Sequence, residues 1–87
     1  MQDDTDYCIE CGRGGTEIHH CIYGNANRKL SDKYGLVVGL CYNHHRGKYG
    51  VHNGNKELDE RLKKMAQRRF MEVYEEDFLA VFGRNYL

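Results

Sequence analysis

The chain has 87 residues, with 13 basic and 13 acidic side chains, three Phe, seven Tyr, no Trp and four Cys. So short a chain forms one domain, 1–87, near the size at which an apolar core alone stops sufficing, so a staple is expected. No stretch approaches a membrane span, and no apolar signal segment precedes Cys8, where the chain starts Met1-Gln2-Asp3-Asp4; the expectation is a soluble, intracellular, cytoplasmic protein with no membrane partner.

Residues 1–7 are polar and expected to fray. Cys8 to Gly15 holds Gly12, Gly14 and Gly15, a tight turn of the kind that brings two thiolates together. Thr16 to Tyr23 is rich in β-branched and aromatic residues and predicts a strand; Gly24 to Tyr34 reads as a polar loop without proline. A second strand, Leu36 to Leu40, ends at Cys41, and the connection is too short for a parallel crossover, so the pair is an antiparallel hairpin. Tyr42 to about Gly47 predicts a short helix, broken by Gly47, Gly50 and Gly54.

Asn55 stands at an N-cap position before a long helix to about Glu75. Its apolar stripe is Leu58, Leu62, Met65/Ala66, Phe70 and Val73/Tyr74, expected to pack on the hairpin. Glu57–Arg61, Asp59–Lys63 and Glu60–Lys64 are acid-before-base pairs one helical turn apart. A last helix, about Asp77 to Phe82, stops at Gly83. The fold class is α+β: a metal-bearing part over 8–52 and a helical part over 55–87.

Cys8-x2-Cys11 and Cys41-x2-His44 have the spacing of a four-ligand zinc clip. Thiolates with a neutral imidazole suit tetrahedral Zn²⁺, and the hairpin would close the long gap. His44 is the expected fourth ligand, with its neighbour His45 competing for the role. Zinc is preferred to a pair of disulfides on the cysteine spacing. Cys21 lacks a partner at that spacing and reads as a small buried residue.

Four protein ligands close a zinc site, so the remaining histidines point to other work. His19 and His20 are strand neighbours facing opposite ways, so one can face a second metal while the other faces a reacting water. His45 and His52 follow in the segment after the second zinc pair, His52 being either a further ligand or a loop residue. The zero net charge hides a pattern: residues 1–23 carry five acids and one base, 24–50 five bases and one acid. A basic middle beside histidines suits a phosphate-bearing ligand. Lys63, Lys64, Arg68 and Arg69 on the long helix read as a solvated face, and Tyr34, Tyr42 and Tyr49 as core filling ahead of base stacking.

Cys8-x2-Cys11, then Glu17-Ile18-His19-His20, then Gly35 to Cys41-x2-His44-His45 resembles the HNH endonucleases, the ββα-metal (His-Me finger) nucleases that many phages encode. The run Tyr34 to His52, with the ending Phe82 to Leu87, is similar to small phage proteins related to the recombination-enhancement (Ref-like) nucleases. The resemblance implies a zinc-stapled ββα-metal core and a DNA endonuclease or nickase. In it His20 would be the general base, and His19 and His45 would be ligands of a catalytic Mg²⁺ or Mn²⁺, with His52 as a further ligand. Arg28, Lys29, Arg46 and Lys48 are then expected phosphate contacts, DNA the partner, and a recombinase filament a partner by family. One departure stands out: the family's central Asn, which braces the loop bearing the base, has no counterpart at Tyr34-Gly35-Leu36, and Asn27, Ser31 and Asp32 are the nearby polar residues. The alternative is a non-catalytic zinc-binding nucleic-acid module that uses the basic segment for docking alone.

Overall fold

A computed structural model of the chain describes residues 4–24 and 26–87; the first three residues of the expected frayed end, and Asn25 of the expected loop, lie outside the described residues. The order of elements is β1 (Glu17–His20), α1 (Asn27–Lys33), β2 (Val37–Leu40), α2 (Tyr42–His45), α3 (Lys56–Val73) and α4 (Phe78–Phe82). The two strands pair antiparallel, as expected, with His19 opposite Val38 and His20 opposite Val37. The α+β class therefore holds, built on a two-stranded hairpin and helices.

Residues 5–7 are tied down rather than frayed. The Thr16 hydroxyl donates to the Thr5 carbonyl, and Tyr7 bridges to Gly14. Gly39 makes room for this segment: a Cβ there would stand 2.1 Å from the Thr5 carbonyl oxygen. No side chain fits at that separation, so glycine in mid-strand lets the N-terminal arm cross β2.

The expected loop over 24–34 contains helix α1. Leu30 is its only large apolar residue, so the segment carries no amphipathic period to announce a helix. Tertiary contacts hold it instead. The Asn27 amide donates to the Phe82 carbonyl at 3.3 Å. Ser31, fully buried, accepts from the Ile22 N–H at 3.2 Å and donates back to the Ile22 carbonyl. β1 is correspondingly shorter than expected, although Cys21 continues the pairing with one bond to Leu36.

Helix α3 starts where the sequence places it: the Asn55 side chain accepts from the Leu58 N–H at 3.1 Å, a cap worth about 1 kcal/mol. Leu58, Leu62, Ala66 and Phe70 are buried, while Met65 and Val73 face solvent, so the stripe is narrower than expected. It merges with Val38 and Leu40 of the hairpin and with Phe78 and Phe82 of α4 in one core. Phe70 lies at the centre of an aromatic cluster, 5.1 Å from Tyr34 and 5.4 Å from Phe78 between ring centroids. Its burial contributes about 1.5–3 kcal/mol before the contacts between rings are added.

Of the three expected helix pairs, only Asp59–Lys63 forms, at 2.8 Å; Arg61 reaches Glu10 instead, at 2.7 Å. The buried Gln67 had no sequence signal. Its amide donates to Asn85 at 2.6 Å and accepts from the Tyr86 N–H at 2.7 Å, fastening the chain's end across α3. α4 is capped by the Asp77 side chain and closed by Gly83 at φ 76°, a left-handed position that favours glycine. Among the described residues no helix is long and apolar enough to cross a membrane.

Candidate metal centres and the histidine pocket

Two groups of metal-ligating side chains sit on either side of α2. In each, the ligating atoms lie within 4.8 Å of one another. The first comprises Cys8, Cys11, Cys41 and His44. The glycine turn supplies two thiols, folded back by the Gly12 N–H on the Cys8 carbonyl, and pinned to β2 by the Ile9 N–H on Gly39. The end of β2 supplies Cys41, and the first turn of α2 supplies His44.

Cys11 and Cys41 sulfurs are 3.7 Å apart, and His44 Nδ1 stands 3.2 Å from Cys41 and 3.8 Å from Cys8. A tetrahedron with Zn–S bonds of about 2.3 Å has edges of about 3.8 Å, so the four atoms already have the spacing of a closed zinc site. The thiols are free, and the 3.7 Å between Cys11 and Cys41 is well beyond the S–S bond of about 2.05 Å. Burial raises the Cys8 thiol pKa, but the backbone N–H groups of Cys41, Cys11 and Glu10 outweigh it and hold the thiol below its ordinary value. That favours the thiolate a metal needs. Cys21 is fully buried away from this group, its thiol pushed up to about 12 by desolvation, as its reading as a core residue requires.

The second group is His19, His45 and His52. β1 presents His19 on its inner face, at 2 % exposure. α2 presents His45, and the turn after it presents His52. Position 52 is set by backbone bonds: Val51 N–H donates to the His44 carbonyl at 2.9 Å and His52 N–H to the His45 carbonyl at 3.0 Å. Gly50 permits the approach, since a Cβ there would lie 2.6 Å from the His45 carbonyl oxygen. The three ring centroids are 4.8–5.3 Å apart, and the rings are steeply inclined to each other.

The surroundings of His19 and His52 favour the neutral imidazole. His19 is lowered to about 4, first by burial and then by the neighbouring His45 and His52. His52, exposed at its edge, is lowered by partial desolvation first and then by the neighbouring His45. His19 Nε2 is buried with no hydrogen-bond partner among the described residues. An orphaned imidazole nitrogen in a core is costly unless something accepts its lone pair or proton. Glu17 bonds His45 Nδ1 at 2.8 Å, which leaves Nε2 to face the other two rings. A carboxylate behind a histidine is the usual support of a metal ligand.

The residues therefore fit one divalent ion held by three protein ligands, with positions left for water or a substrate oxygen. The donor set is three imidazoles with no carboxylate among them. It suits a first-row transition ion better than Mg²⁺, which prefers oxygen and keeps its waters.

His20 turns away from His19 on the strand and stays half-buried, its Nε2 3.6 Å from Asp32, outside hydrogen-bond range. It lines an open pocket with His45, His52, Tyr23, Arg28 and Arg46. Of the four expected phosphate contacts, Arg28 and Arg46 thus reach the pocket, Arg46 also pairing with Glu17 at 3.3 Å. Lys29 and Lys48 do not line it; Lys48 lies over the ring of Tyr49. Tyr34 is core, whereas Tyr42 and Tyr49 are exposed, so the expected core role holds for the first alone. Sequence reasoning missed Glu17 as a support for His45 and Tyr23 as a pocket wall.

No family model, curated protein or solved structure matches the chain.

Proposed function

We propose that the chain is a metal-dependent endonuclease or nickase of the HNH, ββα-metal kind, cutting DNA phosphodiester bonds with His20 as general base. The observation that carries the reading is the histidine pocket. Three imidazoles, one with a buried nitrogen lacking a partner, converge beside a fourth that is accessible, with Arg28 and Arg46 at the rim. Buried histidines satisfied by backbone groups would have been structural, and neither His19 nor His20 is of that kind.

A divalent ion held by His19, His45 and His52 would stabilise charge on the phosphate and on the leaving 3′ oxygen. Arg28 and Arg46 would hold the phosphodiester without reading its sequence. His20 would take a proton as water attacks phosphorus and the bond to the 3′ oxygen breaks; that oxygen is then protonated from solvent, leaving 5′-phosphate and 3′-hydroxyl ends. An imidazole suits the task because it accepts protons near neutral pH. Asp32 offers a counter-charge to the imidazolium so formed. Of the ions implied by the resemblance, Mn²⁺ is the better expected activator, with Mg²⁺ weaker on this donor set.

The brace usually made by the central Asn would fall to Ser31, whose hydroxyl holds both backbone groups of Ile22, two residues beyond His20. The resemblance also supplies the setting, phage DNA recombination or processing. The test is nicking of supercoiled plasmid with Mn²⁺ or Mg²⁺ by the protein and by a folded His20→Ala variant. Nicking by the parent and none by the variant supports the assignment, and equal nicking by both removes His20 from it. Failure of both to nick while both retard DNA in a gel would favour the binding module.

A further inference from the structure

We propose that the groove between the start of α3 and residues 84–86 is a second nucleic-acid contact, taking phosphates of the strand whose reacting bond lies in the histidine pocket. The inference rests on the nuclease reading and extends it to a surface the motif residues do not reach.

The groove is lined by Lys56, Lys63, Lys64 and Arg84, with Asp59, Glu60, Asn85 and Tyr86. Four cations thus face two carboxylates, and one of those is turned inward. Asp59 accepts from the Tyr23 hydroxyl at 2.9 Å and pairs with Lys63 at 2.8 Å, its side chain only 14 % exposed. Lys64 does not pair with Glu60, and among the described residues neither Lys56, Lys64 nor Arg84 has a carboxylate within ion-pair distance. Lys63 is already paired with Asp59, so the cations the groove leaves for a phosphate are Lys56, Lys64 and Arg84.

The groove and the histidine pocket adjoin through one contact between their linings. Lys63 Nζ lies over Tyr23, 4.7 Å from the ring centroid, and 5.6 Å from that of Tyr86. Tyr23 lines the histidine pocket and stands 5.4 Å from His52 between ring centroids. Arg84 stacks over Tyr86 at 5.3 Å. Cations interleaved with aromatic rings along a groove are what a single strand needs, phosphates on the first and bases on the second. Four further acids of this half, Glu72, Glu75, Glu76 and Asp77, line a separate depression at the far end of α3.

The test is fluorescence anisotropy of a labelled single-stranded DNA oligonucleotide across a salt series. It compares the zinc-loaded protein with Lys64→Gln/Arg84→Gln, Lys56→Gln and Arg28→Gln/Arg46→Gln. Removing one phosphate-binding cation should make the slope of log affinity against log salt shallower by about 0.7. The expected result is a several-fold weaker affinity with a shallower slope in both groove variants, and no change in zinc content. An unchanged slope in the groove variants beside a reduced one in Arg28→Gln/Arg46→Gln overturns the groove and leaves the nuclease reading standing. Absence of binding by the parent protein overturns both.

Discussion

A zinc ion held by Cys8, Cys11, Cys41 and His44 would be the staple of the fold, so stripping it should unfold the chain, and the structure gives the scale. The four ligands come from three separate segments: the N-terminal knuckle, the end of β2 and the first turn of α2. A domain of 87 residues at about 0.05–0.15 kcal/mol per residue has a total stability of about 4–13 kcal/mol. Structural zinc sites contribute about 10–16 kcal/mol in apparent binding free energy, so the stripped chain is left with no net stability. The damage extends to the histidine pocket, because His45 follows His44 directly and His52 hangs from the His45 carbonyl. The assay is far-ultraviolet circular dichroism and thermal melting during titration with a strong chelator, alongside metal analysis. Decay of the helical signal should track release of zinc, and Cys41→Ser should be unfolded as purified. A chain that keeps its helical signal and a sharp melt after zinc is removed would falsify the clip as the staple.

Other consequences follow from single contacts. Ser31→Ala leaves both backbone groups of Ile22 buried without partners and should cost about 2–4 kcal/mol, measured by urea unfolding with zinc in excess; a change under about 0.5 kcal/mol would remove the clamp from the argument. Glu17→Ala should weaken ion binding at the three-histidine site about 10–100-fold while the thiolate site keeps its zinc, as read by calorimetric titration of Mn²⁺; unaltered affinity would show that Glu17 does not support His45. Gln67→Leu should loosen residues 84–86, raising amide exchange there and lowering stability by about 1–3 kcal/mol, and unchanged exchange at Tyr86 would contradict it. Native-state alkylation should spare Cys21, which is fully buried, and modification at the rate of a free thiol would show that the core opens.

What the sequence announces depends on how local each signal is. Asn55 and Gly83 mark helix ends through contacts made within a turn, and both stand where they were expected. The cysteine spacing is local twice over, and its two halves meet because the hairpin register is fixed by inward Val38 and Leu40. Helix α1 was not legible, since its stability comes from Ser31 on Ile22 and Asn27 on Phe82, contacts 9 and 55 residues apart in the chain. Gln67 hid for the same reason, its partners lying 18 and 19 residues away. Met65 and Ala66 compete for one core position, and Ala66 takes it, fully buried while Met65 faces solvent.

The two histidine pairs show how secondary structure divides work among neighbours. On a strand, successive side chains point to opposite faces, so β1 sends His19 into the core and leaves His20 at the open pocket. On a helix, positions three apart share a face while adjacent ones diverge by about 100°. Cys41 and His44 are three apart at the start of α2 and meet on the thiolate site; His45, one step on, can only face elsewhere, and it meets His19 and His52. Helical geometry therefore places His44, and not His45, with Cys8, Cys11 and Cys41. That geometry also makes exchange of their roles impossible without unwinding α2. A glycine inserted between His44 and His45 would rotate the second histidine by a further 100° or so, out of the cluster, and break the bond from His52 N–H to the His45 carbonyl. Such a variant should keep its zinc and fail to bind Mn²⁺ at the second site; retention of that binding would show that the three imidazoles do not act as one group.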